Sequence, residues 1–281
     1  MKSSAHPKIG ILQGRLTPSL GRGIQFFPDD NWEKEFYDAQ EIGLDCIELL
    51  VRPKGLREHP LMSGEGRVRL RELVRDTGVT IPSIHGYYAP EDPYANDLLD
   101  IVRATADLGA SVVLVSFFHE KKLGAGPDAT WERAHTLLAP AAKAARDAGV
   151  KLGIEAELPA RTLIEFIGEA LAPEAFGVYY DLGNQFACGF PVADEIRELG
   201  KRIVGVHIKD RLSNTDPGVE SRTVPLGEGC ADFKSAFEAL RDIGYPGPLV
   251  IQGARGEDGD EPARNRAYRE LTEKIAAEVW E

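Results

Sequence analysis

Short apolar runs of strand length recur eight times in this chain, at residues 9–12, 46–51, 80–84, 112–118, 151–156, 176–180, 203–208 and 249–251. Amphipathic segments separate most of them, among them residues 31–42, 65–77, 95–108, 130–148 and 232–243. Several segments stop at a glycine, namely Gly43, Gly78, Gly109, Gly149, Gly200 and Gly244. Glycine accepts the left-handed conformation that closes a helix. Strands alternating with helices predict a parallel sheet, and strands rich in Val and Ile without polar alternation suit burial on both faces. Eight such units in 281 residues predict a single (β/α)8 TIM-barrel domain spanning residues 1–281. A doubly wound sheet is the competing architecture. It would carry a glycine-rich phosphate turn after its first strand, whereas this turn reads Gln13-Gly14-Arg15-Leu16-Thr17-Pro18. The longest loops, 13–30, 52–64 and 211–229, all follow strands, where a barrel keeps its site.

Charge and composition narrow the partners. A net charge of −12 argues against a nucleic-acid surface, though not against a local basic pocket. Cys46, Cys188 and Cys230 are scattered and odd in number, which points to a reducing compartment rather than a disulfide framework. Neither a signal-peptide core nor a membrane-spanning apolar run is visible, so a cytoplasmic protein without membrane association is expected.

Four consecutive late strands end on polar residues: Glu155, Asp181, His207 and Gln252. In a barrel these ends converge on one mouth. Any one of them alone is ordinarily a helix cap or a hydrogen-bonded core residue. Together they offer two carboxylates, an imidazole and an amide oxygen. Such a mixed oxygen–nitrogen set suits one divalent ion, Mn²⁺, Mg²⁺, Co²⁺ or Zn²⁺, and lacks the thiolates of a structural zinc site.

Three motifs sharpen this reading: Tyr180-Asp-Leu-Gly-Asn184, Val206-His-Ile-Lys-Asp-Arg211, and Val224-Pro-Leu-Gly-Glu-Gly229 followed by Asp232-Phe233. They resemble the xylose-isomerase-like sugar phosphate isomerase/epimerase superfamily, and most closely its L-ribulose/L-xylulose 5-phosphate 3-epimerase branch. The resemblance runs from the first strand to the eighth and is strongest from residue 151 onward. It implies a metal-dependent sugar isomerase or epimerase, working through a metal-stabilised enediolate on a sugar or sugar phosphate. It also implies a homo-oligomer, since related barrels commonly form dimers or tetramers. Family ligands map onto Glu155, Asp181 and His207, with Glu155 as catalytic base. The family's fourth ligand, a glutamate, falls on Gln252. An amide binds a metal through its oxygen but is no base near neutral pH. Epimerisation needs proton return from the opposite face, so either Glu155 works alone or a second group serves, with Glu157, His85 and Lys209 as candidates.

Further substrate contacts are expected from His85, Glu157, Asn184, Lys209, Arg211 and Arg255, with Arg15, Arg222 and His119 also near strand ends. Arginine pairs with phosphate in a bidentate fork. Asp210 is expected to orient Lys209 or a ligand. Glu48 interrupts the apolar strand 46–51, and a buried carboxylate there needs a partner. His6, His59 and His135 read as surface residues. Other readings are a polyol dehydratase or lyase, a non-catalytic sugar-binding barrel and an abasic-site endonuclease. Charge and the single strand-end histidine weigh against the endonuclease.

Overall fold

The computed structural model describes residues 6–86, 95–118, 122–170, 172–213, 222–256 and 259–281. His119 lies outside them. Eight parallel strands close into a barrel in the order β1 (Ile9–Leu12), β10 (Leu249–Ile251), β7 (Ile203–Ile208), β6 (Phe176–Asp181), β5 (Lys151–Ala156), β4 (Val112–Phe117), β3 (Ser83–Gly86) and β2 (Cys46–Val51). The short pairs β8 (Asp210–Arg211) and β9 (Thr223–Val224) form an antiparallel ribbon beyond β7. The third strand starts later than the apolar pattern suggests. Only Thr80 of the run 80–82 makes an isolated bridge, to Cys46, and the ladder proper begins after Pro82, which has no N–H to give.

Helices pack outside the barrel. Among the described residues the helices are α1 (Lys34–Ile42), α2 (Gly64–Thr77), α3 (Ala95–Leu108), α4 (Ala129–Ala148), α5 (Ala160–Gly168), α6 (Leu182–Ala187), α7 (Val192–Leu199), α8 (Phe233–Asp242) and α9 (Glu261–Trp280). Helices α2 and α4 follow Ser63 and Asp128, whose side chains accept from first-turn N–H groups, and stop at Gly78 and Gly149 in the left-handed region. Their apolar faces meet the outward-facing strand residues in one core that includes Phe36, Leu73, Leu138, Phe166 and Phe237. Each such side chain taken fully from water contributes about 1.5–3 kcal/mol.

The inside of the barrel is a separate space. Residues two apart on a strand share a face, so Gly153 lies beneath Glu155, Tyr179 beneath Asp181 and Gly205 beneath His207. Val112, Leu114 and Tyr179 form a second buried cluster there, with Val204 packed against it. The β6–β7 pairing shifts register between Val178 and Tyr179, so that Tyr179 pairs with Gly205. Such a bulge re-aims side chains locally.

Candidate active site

The C-terminal mouth holds a cleft of about 350 Å³ whose walls include Arg15, His85, Ser116, Glu155, Asn184 and Gln252. At its base Glu155, Asp181 and His207 are buried and their ligand-type atoms lie within 4.8 Å of one another. His207 Nδ1 stands 3.7 Å from Glu155 Oε1 and 3.8 Å from Asp181 Oδ2, too long for good hydrogen bonds.

Local structure explains which atom of each residue faces inward. Asp181 ends β6 and caps the short helix α6 (Leu182–Ala187), accepting the Asn184 N–H on Oδ1 at 2.9 Å. Oδ2 is left over. His207 engages Glu48 through Nε2 at 2.8 Å, which leaves Nδ1. The Gln252 backbone N–H donates to Ile208 at 2.9 Å, fixing the residue at the rim of β10. Asp181 Oδ2, His207 Nδ1 and Gln252 Oε1 are all buried without a hydrogen-bond partner. An unsatisfied buried polar atom costs about 1–3 kcal/mol. Three of them, all potential ligands lining one mouth beside Glu155, fit a divalent cation.

Electrostatics follow from burial. Burial disfavours the charged forms of both Glu48 and His207, but their contact outweighs it. Glu48 falls to about 2, and Glu48 with Glu155 lifts His207 to about 10. Burial raises the Glu155 carboxyl, against the pull of His207. A raised carboxylate suits a general base near neutral pH. His85, stacked on His207 at 5.6 Å, is lowered by burial to about 4 despite Glu48 and is neutral at pH 7.

The remaining candidates separate into two groups. Lys209 Nζ lies 3.6 Å from Asp181 Oδ2. Arg211 donates to Asn184 Oδ1 at 2.9 Å and pairs with Glu157 at 3.2 Å, and Lys122 holds the other Glu157 oxygen at 3.3 Å. All of these face the cleft. Arg255 behaves differently from the expectation. Its guanidinium donates to the carbonyls of Ile24, Thr17 and Gly14 and lies 4.5 Å over the Phe26 ring, so it fastens the β1 loop rather than a substrate. Arg222 is exposed, and its backbone carbonyl accepts the Leu212 N–H at 3.0 Å. Asp210 does not orient Lys209. Its carboxylate collects the N–H groups of Arg211, Gly227, Gly229 and Ala231 and closes the loop after β9.

His59 and His135 are not surface residues. His59 is buried against Phe27 and accepts the Leu61 N–H, and His135 is half-buried, stacked on Phe166 with Nε2 2.8 Å from its carbonyl. Sequence reasoning also missed Lys122, Ser116 and Tyr179. No local pattern marks these. Lys122 sits in a loop whose fold alone brings it to Glu157.

A closed parallel barrel with a buried carboxylate–imidazole–amide cluster at its C-terminal mouth has the site architecture of a TIM-barrel enzyme. The family model described as Xylose isomerase-like TIM barrel matches residues 36–276, and the chain belongs to that family. The L-ribulose-5-phosphate 3-epimerase UlaE of Salmonella heidelberg (strain SL476) is 31% identical over 239 residues, covering 79% of this chain and 81% of that protein. Among solved structures, an L-ribulose 3-epimerase superposes with a TM-score of 0.70 at 20% identity, covering 97% of this chain and 96% of that one. A xylose isomerase-like TIM barrel protein from Mycobacterium smegmatis, in complex with magnesium, gives a TM-score of 0.71 at 19% identity over 100% of both chains.

Proposed function

We propose that this protein is a metal-dependent sugar isomerase or epimerase in which Glu155 moves a proton at the carbon beside a carbonyl. The observation that carries this reading is the set of unpartnered buried atoms, Asp181 Oδ2, His207 Nδ1 and Gln252 Oε1, beside a carboxylate of raised basicity. In the proposal Glu155, Asp181, His207 and Gln252 hold one divalent ion. When bound, such an ion polarises the carbonyl and neighbouring hydroxyl oxygens of a sugar. Glu155 removes the proton and returns it. Asn184 and Arg211 position substrate hydroxyls from one wall, and His85, neutral, lines the mouth from the opposite strand.

The substrate class follows from the charges facing the cleft. Arg15, Lys122, Lys209 and Arg211 all line it in a protein of net charge −12. This concentration of cations supports an anionic substrate, and the UlaE relatives carry L-ribulose 5-phosphate in their name. A phosphorylated ketopentose is therefore the substrate we assign.

Gln252 favours chemistry on one face of the sugar. Its amide takes no proton near neutral pH, so the inversion that pairs Glu155 with a carboxylate at position 252 is not available here. An aldose–ketose isomerisation returns the carbon proton on the face it left, so Glu155 can serve as the one carbon base while a hydroxyl proton passes between the two substrate oxygens. Incubation of ketopentose 5-phosphates with Mn²⁺-loaded protein in D₂O, read by proton NMR, tests the assignment. Deuterium enters next to the carbonyl with wild-type protein, and Glu155→Gln lowers the rate at least about 100-fold. Exchange undiminished in Glu155→Gln would put the base elsewhere, and no exchange into any ketopentose phosphate would favour a binding-only barrel.

A further inference from the structure

Glu48 stands in the middle of the barrel, fully buried, and three strands supply its partners. Oε1 lies 2.8 Å from His207 Nε2 on β7. Oε2 accepts the Ser83 hydroxyl of β3 at 2.6 Å and the Tyr179 hydroxyl of β6. An ionised carboxylate only accepts, so the proton of the 2.8 Å contact sits on His207 Nε2. An imidazole takes a cation only after losing its second proton, and the lone pair is then on Nδ1, the atom facing Glu155 and Asp181.

The position of Tyr179 is built into the backbone. Its ring crosses the barrel interior where neighbouring strands carry glycine. A Cβ at Gly205 would stand 2.2 Å from the Tyr179 ring, and one at Gly153 would stand 3.2 Å from it. The register shift between β6 and β7 falls at the same residue. The ring also lies 4.5 Å from that of His207, so Tyr179 supports the imidazole from below as well as through Glu48. A second ion held by Glu48, His85 and His207 does not fit. Their ligand-type atoms do cluster, but hydrogen-bond contact between Glu48 and His207 leaves no room for an ion between them.

We propose that Tyr179 and Glu48 form a positioning chain through the barrel interior that fixes the orientation and tautomer of His207, and so presents Nδ1 to the cation. Neither residue touches substrate. The inference rests on the ligand set proposed above. It adds that cation affinity at the mouth is set in part by a hydroxyl on the floor below.

Mn²⁺ titration of full-length protein, with the His207 Nε2 proton followed by NMR, tests this. Glu48→Gln weakens Mn²⁺ binding roughly 10- to 100-fold. Tyr179→Phe, which keeps the ring and removes one hydrogen bond, weakens it about 2- to 10-fold. The double variant binds no more weakly than Glu48→Gln, because both substitutions cut one chain. The hydrogen-bonded Nε2 proton resonance moves upfield in both single variants. Wild-type affinity in both single variants, or losses that add in the double variant, would overturn the chain while leaving the ligand set standing. Wild-type protein that takes up no Mn²⁺ would instead sink the ligand set, and this inference with it.

Discussion

Glu35 shows how one buried carboxylate links the mouth to stability. It accepts the N–H groups of Gly14 at 2.7 Å and Leu16 at 3.1 Å and the Thr17 hydroxyl at 2.9 Å, holding the loop that carries Arg15. Burial nonetheless pushes it up to about 7, from an ordinary 4.5, against the pull of those hydrogen bonds. The folded state therefore binds more protons than the unfolded state between those two values. Stability from this residue is greatest below about pH 4.5, falls as pH rises towards 7 and is level above that. The full loss is about 3 kcal/mol as an upper bound. Urea unfolding at pH 5 and pH 8 checks this. The stability of wild type relative to Glu35→Gln falls between the two, whereas an equal difference at both would show that Glu35 does not titrate there.

At the scale of elements, the strand ends were legible in the sequence because period and position coincide. Glu155, Asp181 and His207 each close an apolar strand, and a barrel has one mouth for such ends. Glu48 was legible as a lone carboxylate within an apolar strand, but its partners were not. Tyr179 reaches it across 131 residues of sequence, and nothing local to either strand records that pairing. The partners of Arg255 were hidden for a related reason. Nearness to a strand end does not say whether a guanidinium meets ligand or loop carbonyls, and here the β1 loop offers three carbonyls. The glycines beneath the cluster carry a prediction of their own. Gly205→Ala drives a methyl into the Tyr179 ring, and such overpacking costs about 1–3 kcal/mol. A lower unfolding temperature is expected, and an unchanged one would mean that the ring has free space to move into.

For the whole molecule, eight parallel strands and an outer helical layer follow from alternation alone, and the family match bears out that architecture. What alternation does not set is the content of the barrel's interior. Acidic overall, the chain gathers cations over a buried acidic cluster at one end, and that contrast underlies the assigned substrate class. No helix among the described residues is long and apolar enough to cross a membrane. The proposed chemistry requires that the cluster at the mouth hold an ion. Elemental analysis of metal-loaded protein after desalting measures this directly. About one divalent ion per chain is expected for wild type, with occupancy well below half in Asp181→Asn and His207→Ala. Full occupancy in both variants would contradict the site.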